Sequence, residues 1–442
     1  MLIKGNNNFI WGVASSAFQT EGAYLEDGKG LSIWDVFTGR KRKIRNGHHA
    51  HRATEFYYRF EEDLDIIYQL GIRHFRFSFS WPRIIPDGTG AVNQKGLDFY
   101  HRVLDACQVR GITPWVTLYH WDLPQALQEK GGWVNRDIVS WFCNYVQVCL
   151  KNFQDKANHW MVLNEPMAFT GAGYFLGIHA PGKRGLKNFI PAMHHAVLSL
   201  AEGVRVIRSY GEQHLIGSTF SCSHITPFST KEKDIKAAHR FDALLNRLFA
   251  EPAAGLGYPV KDLPFLKRVE KIMRAGDEIR MTAPLDFIGI QNYTREVIRH
   301  AWYIPFLNGK PVPAHKRKVY HTVLNWEVYP ESLYAMIKKF SQYGFRQVIV
   351  TENGAAFNDT IENGKVNDDN RIHFLQHYIE QMLKAKEEGC LVSGYFVWSL
   401  TDNFEWSEGY HPRFGLVYVN FETLKRTIKN SGRWYSDFIK RV

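Results

Sequence analysis

The chain has 442 residues, of which 45% are hydrophobic and 22% charged, close to the average for soluble globular proteins. This composition excludes a disordered or fibrous protein, and the sequence contains no apolar run long enough to span a membrane. Lys and Arg number 55 against 44 Asp and Glu, and the net charge of +11 permits an anionic partner without establishing one.

Apolar, strand-like runs alternate with amphipathic helical segments along the chain. The predicted strands are Phe9–Ala14, Ile72–Phe79, Ile112–Leu118, His159–Leu163, Leu215–Ser221, Phe287–Gln291, Gln347–Val350 and Gly394–Ser399. The predicted helices are Glu62–Leu70, Gly96–Arg110, Arg136–Phe153, Pro191–Tyr210, Pro330–Tyr343 and Asn370–Glu388. Several helices end at a glycine, as at Gly71, Gly111, Gly211 and Gly389, where a left-handed residue commonly closes a helix.

Alternating strands and helices predict a parallel sheet, and eight strands fit a closed (β/α)₈ TIM barrel. We therefore predict a single catalytic domain over residues 1–442, with the active site at the C-terminal ends of the strands. A doubly wound open sheet is the alternative, but no strand is followed by a Gly-x-Gly-x-x-Gly turn. Segments 251–284 and 302–323 do not have the pattern of simple helices.

The densest basic segment spans residues 40–52 and includes His48, His49 and His51. No aromatic residues interrupt its basic run and no nucleic-acid-binding motif surrounds it, so we interpret it as a solvated loop and expect no nucleic-acid partner. Three nearby histidines make a metal site conceivable, but their spacing matches no recognised ligand set.

The N-terminus and the cysteines indicate the compartment. The apolar stretch 9–18 is broken by Gly12, Ser15 and Ser16, which makes it too short and too polar for a secretory leader. The five cysteines are odd in number, and most lie in apolar stretches, as expected of reduced buried thiols rather than a disulfide framework. We therefore expect a cytoplasmic protein that is not attached to a membrane.

Polar and aromatic residues stand where the predicted strands end, which is where a barrel carries its reacting groups. Glu165 and Glu352 follow the fourth and seventh strands, on opposite sides of the barrel mouth. One such glutamate is more often a surface carboxylate, but cleavage of a glycosidic bond requires a pair. One carboxylic acid protonates the leaving oxygen, and the other carboxylate attacks or activates water.

The sequence around these positions contains a series of motifs in a fixed order. They are Phe18–Gly22, Ser32–Asp35, Arg76–Arg83, Tyr119–Pro124, Leu163–Pro166, His179–Gly182, Val350–Gly354, Trp398–Leu400, Asp402–Trp406 and Arg413–Leu416. In these motifs, over essentially its whole length, the chain resembles glycoside hydrolase family 1, the β-glucosidase family. The resemblance implies a (β/α)₈ barrel that hydrolyses small β-glycosides, with retention, through a covalent glycosyl-enzyme. It implies no cofactor and no metal.

The resemblance also assigns the reacting groups. Glu165 resembles the general acid/base and Glu352 the nucleophile, and in a retaining pair the two carboxyl groups lie about 5–5.5 Å apart. Arg76 and Tyr293 resemble the partners of Glu352, since a cation and a hydroxyl donor favour an ionised carboxylate. A purely structural ion pair is an equally compatible interpretation of Arg76.

Further positions are assigned to the substrate by the same resemblance. Asn164 resembles the donor to the sugar 2-hydroxyl, and Trp398 the ring that stacks beneath the sugar. Trp326 resembles the platform for the leaving group, although core packing explains it equally well. The other predicted substrate-binding residues are Gln19, His120, Trp121, Gln291, Glu405, Trp406 and Phe414.

The chain departs from the family pattern at two of these places. Phe18 stands where the family usually has Tyr, and Gln291 stands where it usually has Asn, which affects an amide contact to the sugar. Members that cleave 6-phosphoglycosides generally carry Ser at the position of Glu405, so unphosphorylated sugars are the better prediction. A noncatalytic sugar-binding barrel is disfavoured by the presence of both carboxylates, and Glu165 excludes a plant-type thioglucosidase, which has Gln there.

Overall fold

Eight parallel strands close into a barrel in the computed structural model, which describes residues 9–442. The strands in chain order are β1 (Ile10–Ala14), β2 (His74–Ser78), β3 (Thr113–Tyr119), β4 (His159–Asn164), β5 (Leu215–Ser221), β6 (His224–Pro227), β7 (Phe287–Gln291), β8 (Arg295–His300), β9 (Gly309–Pro311), β10 (Gln347–Asn353), β11 (Val392–Trp398), β12 (Val417–Val419) and β13 (Arg426–Ile428). Around the barrel the order is β1-β11-β10-β7-β5-β4-β3-β2. The predicted barrel is confirmed, and each of the eight predicted strands overlaps one strand of the barrel. Residues 1–8 of the predicted domain lie outside the described residues.

Helices follow the barrel strands and cover them. The α-helices are α1 (Ala17–Thr20), α2 (Ile33–Thr38), α3 (Phe56–Gln69), α4 (Trp81–Ile84), α5 (Gln94–Val109), α6 (Gln125–Glu129), α7 (Ile138–Phe153), α8 (Pro166–Thr170), α9 (Leu186–Arg208), α10 (Glu232–Asp242), α11 (Ala250–Ala253), α12 (Asp277–Arg280), α13 (Ala314–Arg317), α14 (Glu331–Phe340), α15 (Asp369–Glu387) and α16 (Asn430–Ile439). Segments 251–284 and 302–323 contain only short helical pieces and β9, as their irregular patterns predict. Within residues 9–442 no helix is long and apolar enough to cross a membrane.

The long helices bury one stripe each against the barrel. On α7 the buried residues Val139, Phe142, Val146, Cys149 and Phe153 recur every three or four positions, which places them on one face of a 3.6-residue helix. The four glycines predicted to close helices all have positive φ, from 61° to 136°. Glycine adopts this left-handed conformation at no steric cost, so each helix can stop and turn back toward the next strand.

Large side chains fill the inside of the barrel below its mouth. Trp115, Met161, Phe287, Ile349 and Phe396 form one fully buried cluster, as the packed interior of such barrels requires. Small residues on neighbouring strands make room for the rings. A Cβ atom at Gly12 would lie 2.4 Å from the Phe396 ring, and one at Gly217 would lie 2.3 Å from the Phe287 ring. These side chains fill the lower part of the interior among the described residues, below the cavity at the carboxyl ends of the strands.

Two small sheets outside the barrel were not predicted. Strands β6, β8 and β9 form one of them, and β12 and β13 form the other. The first begins directly beyond the carboxyl ends of β5 and β7, so it extends the wall of the barrel mouth on that side.

Candidate active site

A cavity of about 450 Å³ opens at the carboxyl ends of the barrel strands. Its wall combines carboxyl groups with aromatic rings and a few amides and hydroxyls. The lining residues are Gln19, His120, Trp121, Glu165, His179, Ser221, Cys222, Ser223, Gln291, Tyr293, Thr294, Glu296, Leu324, Trp326, Glu352, Trp398, Glu405, Trp406, Ser407, Glu408 and Phe414. The strand-end argument therefore located the pocket correctly.

Three lining residues other than glycine have left-handed backbone. The φ angles are 78° at Trp121, 43° at Glu165 and 50° at Trp406. Such conformations cost about 1–3 kcal/mol each and persist where the surrounding structure holds them, most often at functional sites. Here the Glu165 N–H donates to the Thr219 carbonyl at 2.9 Å, and the Trp121 indole donates to the Asn164 carbonyl at 2.9 Å.

Glu352 is held from two sides. Arg76, from β2, forms an ion pair with Glu352 Oε1, and the Tyr293 hydroxyl donates to Oε2 at 2.5 Å. Arg76 is fully buried, and its Nε also contacts Met161 Sδ at 3.1 Å on the barrel floor. The predicted partnership of Arg76 and Tyr293 with Glu352 is thus present in the structure, and it fixes both oxygens of the carboxylate.

The carboxyl groups of Glu165 and Glu352 titrate differently because their surroundings differ. Burial, together with the charges of Glu352 and Glu405, raises the pKa of Glu165 well above its usual range. Burial also raises the pKa of Glu352, but Arg76 and Tyr293 oppose that shift. The two partners therefore lower the pKa of Glu352 relative to Glu165 rather than below its ordinary value. Glu352 loses its proton first, and the remaining proton rests on Glu165.

Asn164 lies at the centre of a buried hydrogen-bond cluster. Its Oδ1 accepts bonds from Arg76 Nη2 at 2.6 Å, Thr219 Oγ1 at 2.8 Å and Gln291 Nε2 at 2.8 Å. Its Nδ2 lies 3.0 Å from His120 Nε2. Arg76 and Asn164 do not line the cavity, whereas Gln291 does. Gln291 Oε1 has no partner among the described residues, so this amide of the cavity wall retains a free acceptor.

The loop after β11 carries two further predicted sugar contacts. Glu405 Oε1 accepts a hydrogen bond from the Trp398 indole at 3.2 Å, and the Glu405 N–H donates to the Gly409 carbonyl at 2.7 Å. Burial raises the pKa of Glu405 to about 8. The loop is anchored by buried Asp402, which accepts bonds from Lys429 Nζ and from an Arg413 nitrogen, each at 2.7 Å.

Gln19 and His120 complete the same side of the cavity. Gln19 Nε2 donates to Asn403 Oδ1 at 3.0 Å and to the Phe404 carbonyl at 2.9 Å, which fixes the orientation of its amide. Burial and the charge of Arg76 lower the pKa of His120 well below its ordinary value, so its imidazole is neutral. Its Nδ1 has no partner within residues 9–442.

Aromatic rings form two groups on the cavity wall. Trp121 and Trp406 lie with ring centroids 4.4 Å apart, on the side of Gln19 and His120. Trp326 lies 5.3 Å from the Tyr293 ring and 6.1 Å from the Phe414 ring, in the wall next to the β6-β8-β9 sheet. All the aromatic residues predicted to contact substrate therefore line one cavity, and the role of Trp326 as a platform stays a prediction.

Several lining residues were missed by the sequence analysis. Cys222 and Ser223 follow β5, where the strand-end argument applies but gave no motif. Thr294 directly precedes β8 and Glu296 is its second residue, and this strand outside the barrel was not predicted. His179 occurs in a recognised motif but was given no role.

The histidines of the basic segment contact aromatic groups. His51 stacks on Tyr24 with centroids 3.8 Å apart, and His49 stacks on His51 at 4.1 Å. His48 Nδ1 accepts a hydrogen bond from the Tyr410 N–H at 3.1 Å. Within residues 9–442, no group of three or more His, Cys, Asp or Glu side chains is placed to hold a metal ion.

Comparison with known proteins places these features in context. The family model described as glycosyl hydrolase family 1 matches residues 4–442. Over 99% of its length the chain is 43% identical to a protein of Thermotoga maritima named β-glucosidase A, of which it covers 98%. It is 42% identical, over the same shares of both chains, to a protein of Thermotoga neapolitana named 1,4-β-D-glucan glucohydrolase.

A solved structure is similar over the full fold. It is a family 1 glycoside hydrolase of Thermotoga maritima, complexed with a cyclophellitol analogue that mimics the transition state. The TM-score is 0.95 at 42% identity, and the match covers 100% of this chain and 99% of that one.

Proposed function

The chain belongs to glycosyl hydrolase family 1, and we propose that it is a retaining β-glucosidase. It removes terminal, non-reducing β-D-glucosyl residues from oligosaccharides and from aryl or alkyl glucosides. The observation that carries this proposal is the pairing of Glu165 and Glu352 across one cavity, with only Glu352 held by a cation and a phenol. That asymmetry gives two carboxyl groups two different tasks.

The reaction takes place in two steps. In the first, a Glu352 oxygen bonds to the anomeric carbon while the bond to the leaving oxygen breaks, and Glu165 gives that oxygen its proton. In the second, Glu165 takes a proton from water, and the water oxygen attacks the anomeric carbon and releases Glu352. Two displacements restore the β configuration.

The electrostatics support this exchange of tasks. The negative charge of Glu352 is one cause of the high pKa of Glu165. When Glu352 is esterified, that charge is lost, and the pKa of Glu165 falls. Glu165 then serves as the base toward water. Arg76 also lowers the pKa of Glu165 through its charge, but only Glu352 receives hydrogen bonds from Arg76 and Tyr293, and these bonds maintain the order of the two pKa values before the reaction.

The cavity favours unphosphorylated sugars. Five glutamates and neither Lys nor Arg occur among its described lining residues. Glu405, with a pKa raised to about 8, is mostly protonated at neutral pH, and its carboxyl group can both donate hydrogen bonds to sugar hydroxyls and accept them. No lining cation is available to pair with a phosphate dianion.

The proposal extends to substrates and location. A relative named for 1,4-β-D-glucan makes cellobiose a natural substrate to test, in keeping with a part in cellulose breakdown.

Five cysteines outside any disulfide, four of them buried, suit a reducing cytoplasm. The helices and strands of residues 9–442 surround one barrel, which supports a single catalytic domain over residues 1–442.

The test is an initial-rate panel with an analysis of product configuration. The panel comprises 4-nitrophenyl β-glucoside, β-galactoside and β-fucoside, with cellobiose, laminaribiose, sophorose and a 6-phosphoglucoside. We expect hydrolysis of β-glucosides, with β-glucose as the first product seen by proton NMR. α-Glucose as the first product, or a preference for the phosphorylated substrate, would contradict the proposal.

A further inference from the structure

Glu296 is a cavity carboxyl group with no part in the proposed reaction. It lies on β8, in the wall that also contains Thr294, Ser223 and Trp326. This wall adjoins β5 and β7, whereas Gln19 and Glu405 follow β1 and β11 on the other side of the mouth. Glu296 therefore faces the outer, leaving-group part of the cavity rather than the part that holds the glucose.

The alternation of side chains along β8 turns Glu296 toward the cavity. Its neighbour Arg295 forms two bonds to Glu327, at 2.8 and 2.9 Å, and its guanidinium lies 3.9 Å from the centre of the Tyr329 ring. Successive side chains on a strand point to opposite faces, so Glu296 points to the face opposite Arg295. Pairing of Glu296 with Ile225 of β6 holds the strand in this register.

Glu296 has no partner of its own. Arg295 and Arg317 are the nearby cations, and both are paired with Glu327. No side-chain hydrogen bond or ion pair reaches the Glu296 carboxyl group from residues 9–442. Burial raises its pKa to about 6, so it is ionised at neutral pH. A partly buried carboxylate without hydrogen bonds is costly, and hydroxyl groups of a bound molecule would remove that cost.

We propose that Glu296 determines which leaving groups this enzyme accepts. Its carboxylate accepts hydrogen bonds from the hydroxyls of a sugar bound against Trp326, and it disfavours leaving groups that carry negative charge. The inference rests on the proposed function, since it concerns the leaving group of the same hydrolysis. Because the leaving group departs in the first step, Glu296 affects that step and not the hydrolysis of the glucosyl-enzyme.

The experiment compares Glu296→Gln and Glu296→Ala with wild type on glucosides that differ only in the leaving group. We expect Glu296→Ala to lower kcat/KM for cellobiose roughly tenfold or more, the effect of losing a charged hydrogen bond. We expect Glu296→Gln to raise kcat/KM for 4-carboxyphenyl β-glucoside about threefold or more, because a like charge is removed. With 4-nitrophenyl β-glucoside both variants should change kcat/KM much less.

Two controls separate this effect from a general one. Glu387→Gln removes the same charge at the exposed end of α15, which precedes β11 and so lies at the opposite end of the barrel. This control variant should leave kcat/KM for all three substrates unchanged. With 2,4-dinitrophenyl β-glucoside at saturation, where the second step limits turnover, Glu296→Gln should keep the wild-type kcat.

The outcomes distinguish this inference from the proposed function. Equal changes on all leaving groups, or no change on any, would overturn the assignment of Glu296 while leaving the β-glucosidase proposal intact. A lowered kcat on the dinitrophenyl substrate would also overturn it. Wild-type protein that cleaves no β-glucoside would remove the proposed function and this inference with it.

Discussion

The two halves of the cavity differ in how firmly their outer carboxyl groups, Glu405 and Glu296, are held. On the glucose side, Gln19 bonds to Asn403 and to the Phe404 carbonyl, and Glu405 accepts from Trp398. On the leaving-group side, Glu296 has no side-chain partner within the described chain. Groups that are fixed before binding select one ligand geometry, because less ordering remains to be done on binding. The comparison therefore predicts strict recognition of the glucosyl unit. On the leaving-group side, we expect the rate to depend on the charge and hydroxyl groups of the leaving group more than on its shape.

The reaction centre lies between the two halves of the cavity. Without the nucleophile, substrates should no longer differ in rate, because none of them reacts. Glu352→Ala removes the atom that bonds to the sugar, so every substrate should lose activity by roughly 10⁴-fold or more, whatever its leaving group. Added azide or formate should restore turnover of an activated aryl glucoside and yield a product of inverted configuration. Initial rates and NMR of the product measure both effects.

The control for that variant is Glu387→Ala, which lies at the other end of the barrel and should retain activity. Nearly full activity of Glu352→Ala would contradict the whole mechanism.

Glu165→Gln should divide substrates by leaving group, because only poor leaving groups need the proton. A general acid contributes about 10²–10⁴-fold, and we expect a first-step loss of that order for cellobiose and a small one for nitrophenyl glucosides. In wild type, activity should fall at low pH as Glu352 is protonated and at high pH as Glu165 loses its proton, since both pKa values are raised and that of Glu165 more so. In the variant, the alkaline fall should disappear.

The measurement is the burst phase, which isolates the first step, recorded across the pH range. Equal first-step losses for disaccharide and nitrophenyl substrates would remove Glu165 from the acid role.

Glu405→Ser tests the firmly held half. Loss of the hydrogen bonds between the Glu405 carboxyl group and the sugar should lower kcat/KM by roughly 10- to 150-fold, and by the same factor for every glucoside, because all of them share the glucosyl unit. Tolerance of a 6-phosphate should increase, since a carboxyl group has been removed. Glu387→Ser serves as the control. A loss of kcat/KM that varied with the leaving group would contradict the assignment of Glu405 to the glucose side.

Trp326→Leu tests the leaving-group half and should have the smallest effect. An aromatic contact is worth about 0.5–1.5 kcal/mol, so kcat/KM for aryl glucosides should fall roughly 2- to 12-fold. Hydrolysis of the glucosyl-enzyme should not change, because the leaving group has departed. Trp302→Leu, at a tryptophan that is 79% exposed and does not line the cavity, provides the matched control. A loss on every substrate alike would place Trp326 in the glucose half.

Much of the fold could be predicted because its signals are local. The eight barrel strands are apolar runs between helical patterns, and the glycines that end the helices adopt the left-handed conformation expected of them. The sheet of β6, β8 and β9 was missed for the opposite reason. Its strands are short, β9 is Gly-Lys-Pro, and β6 pairs with a strand that lies far away in the sequence.

The sequence by itself determined the barrel and the positions at which chemistry can occur. In a parallel barrel every strand ends at the same face, so the residues after each predicted strand could be assigned to the barrel mouth. Only the tertiary structure decided the contacts, the burial and the pKa of the side chain at each of these positions. Arg76, Tyr293 and Glu352 come from three separate strands or their ends, and their contacts set the order in which the two carboxyl groups lose their protons. Glu296 is left without a cation partner because Glu327, from another loop, pairs with both neighbouring arginines. Burial and through-space charge depend on neighbours that the linear order of residues does not specify.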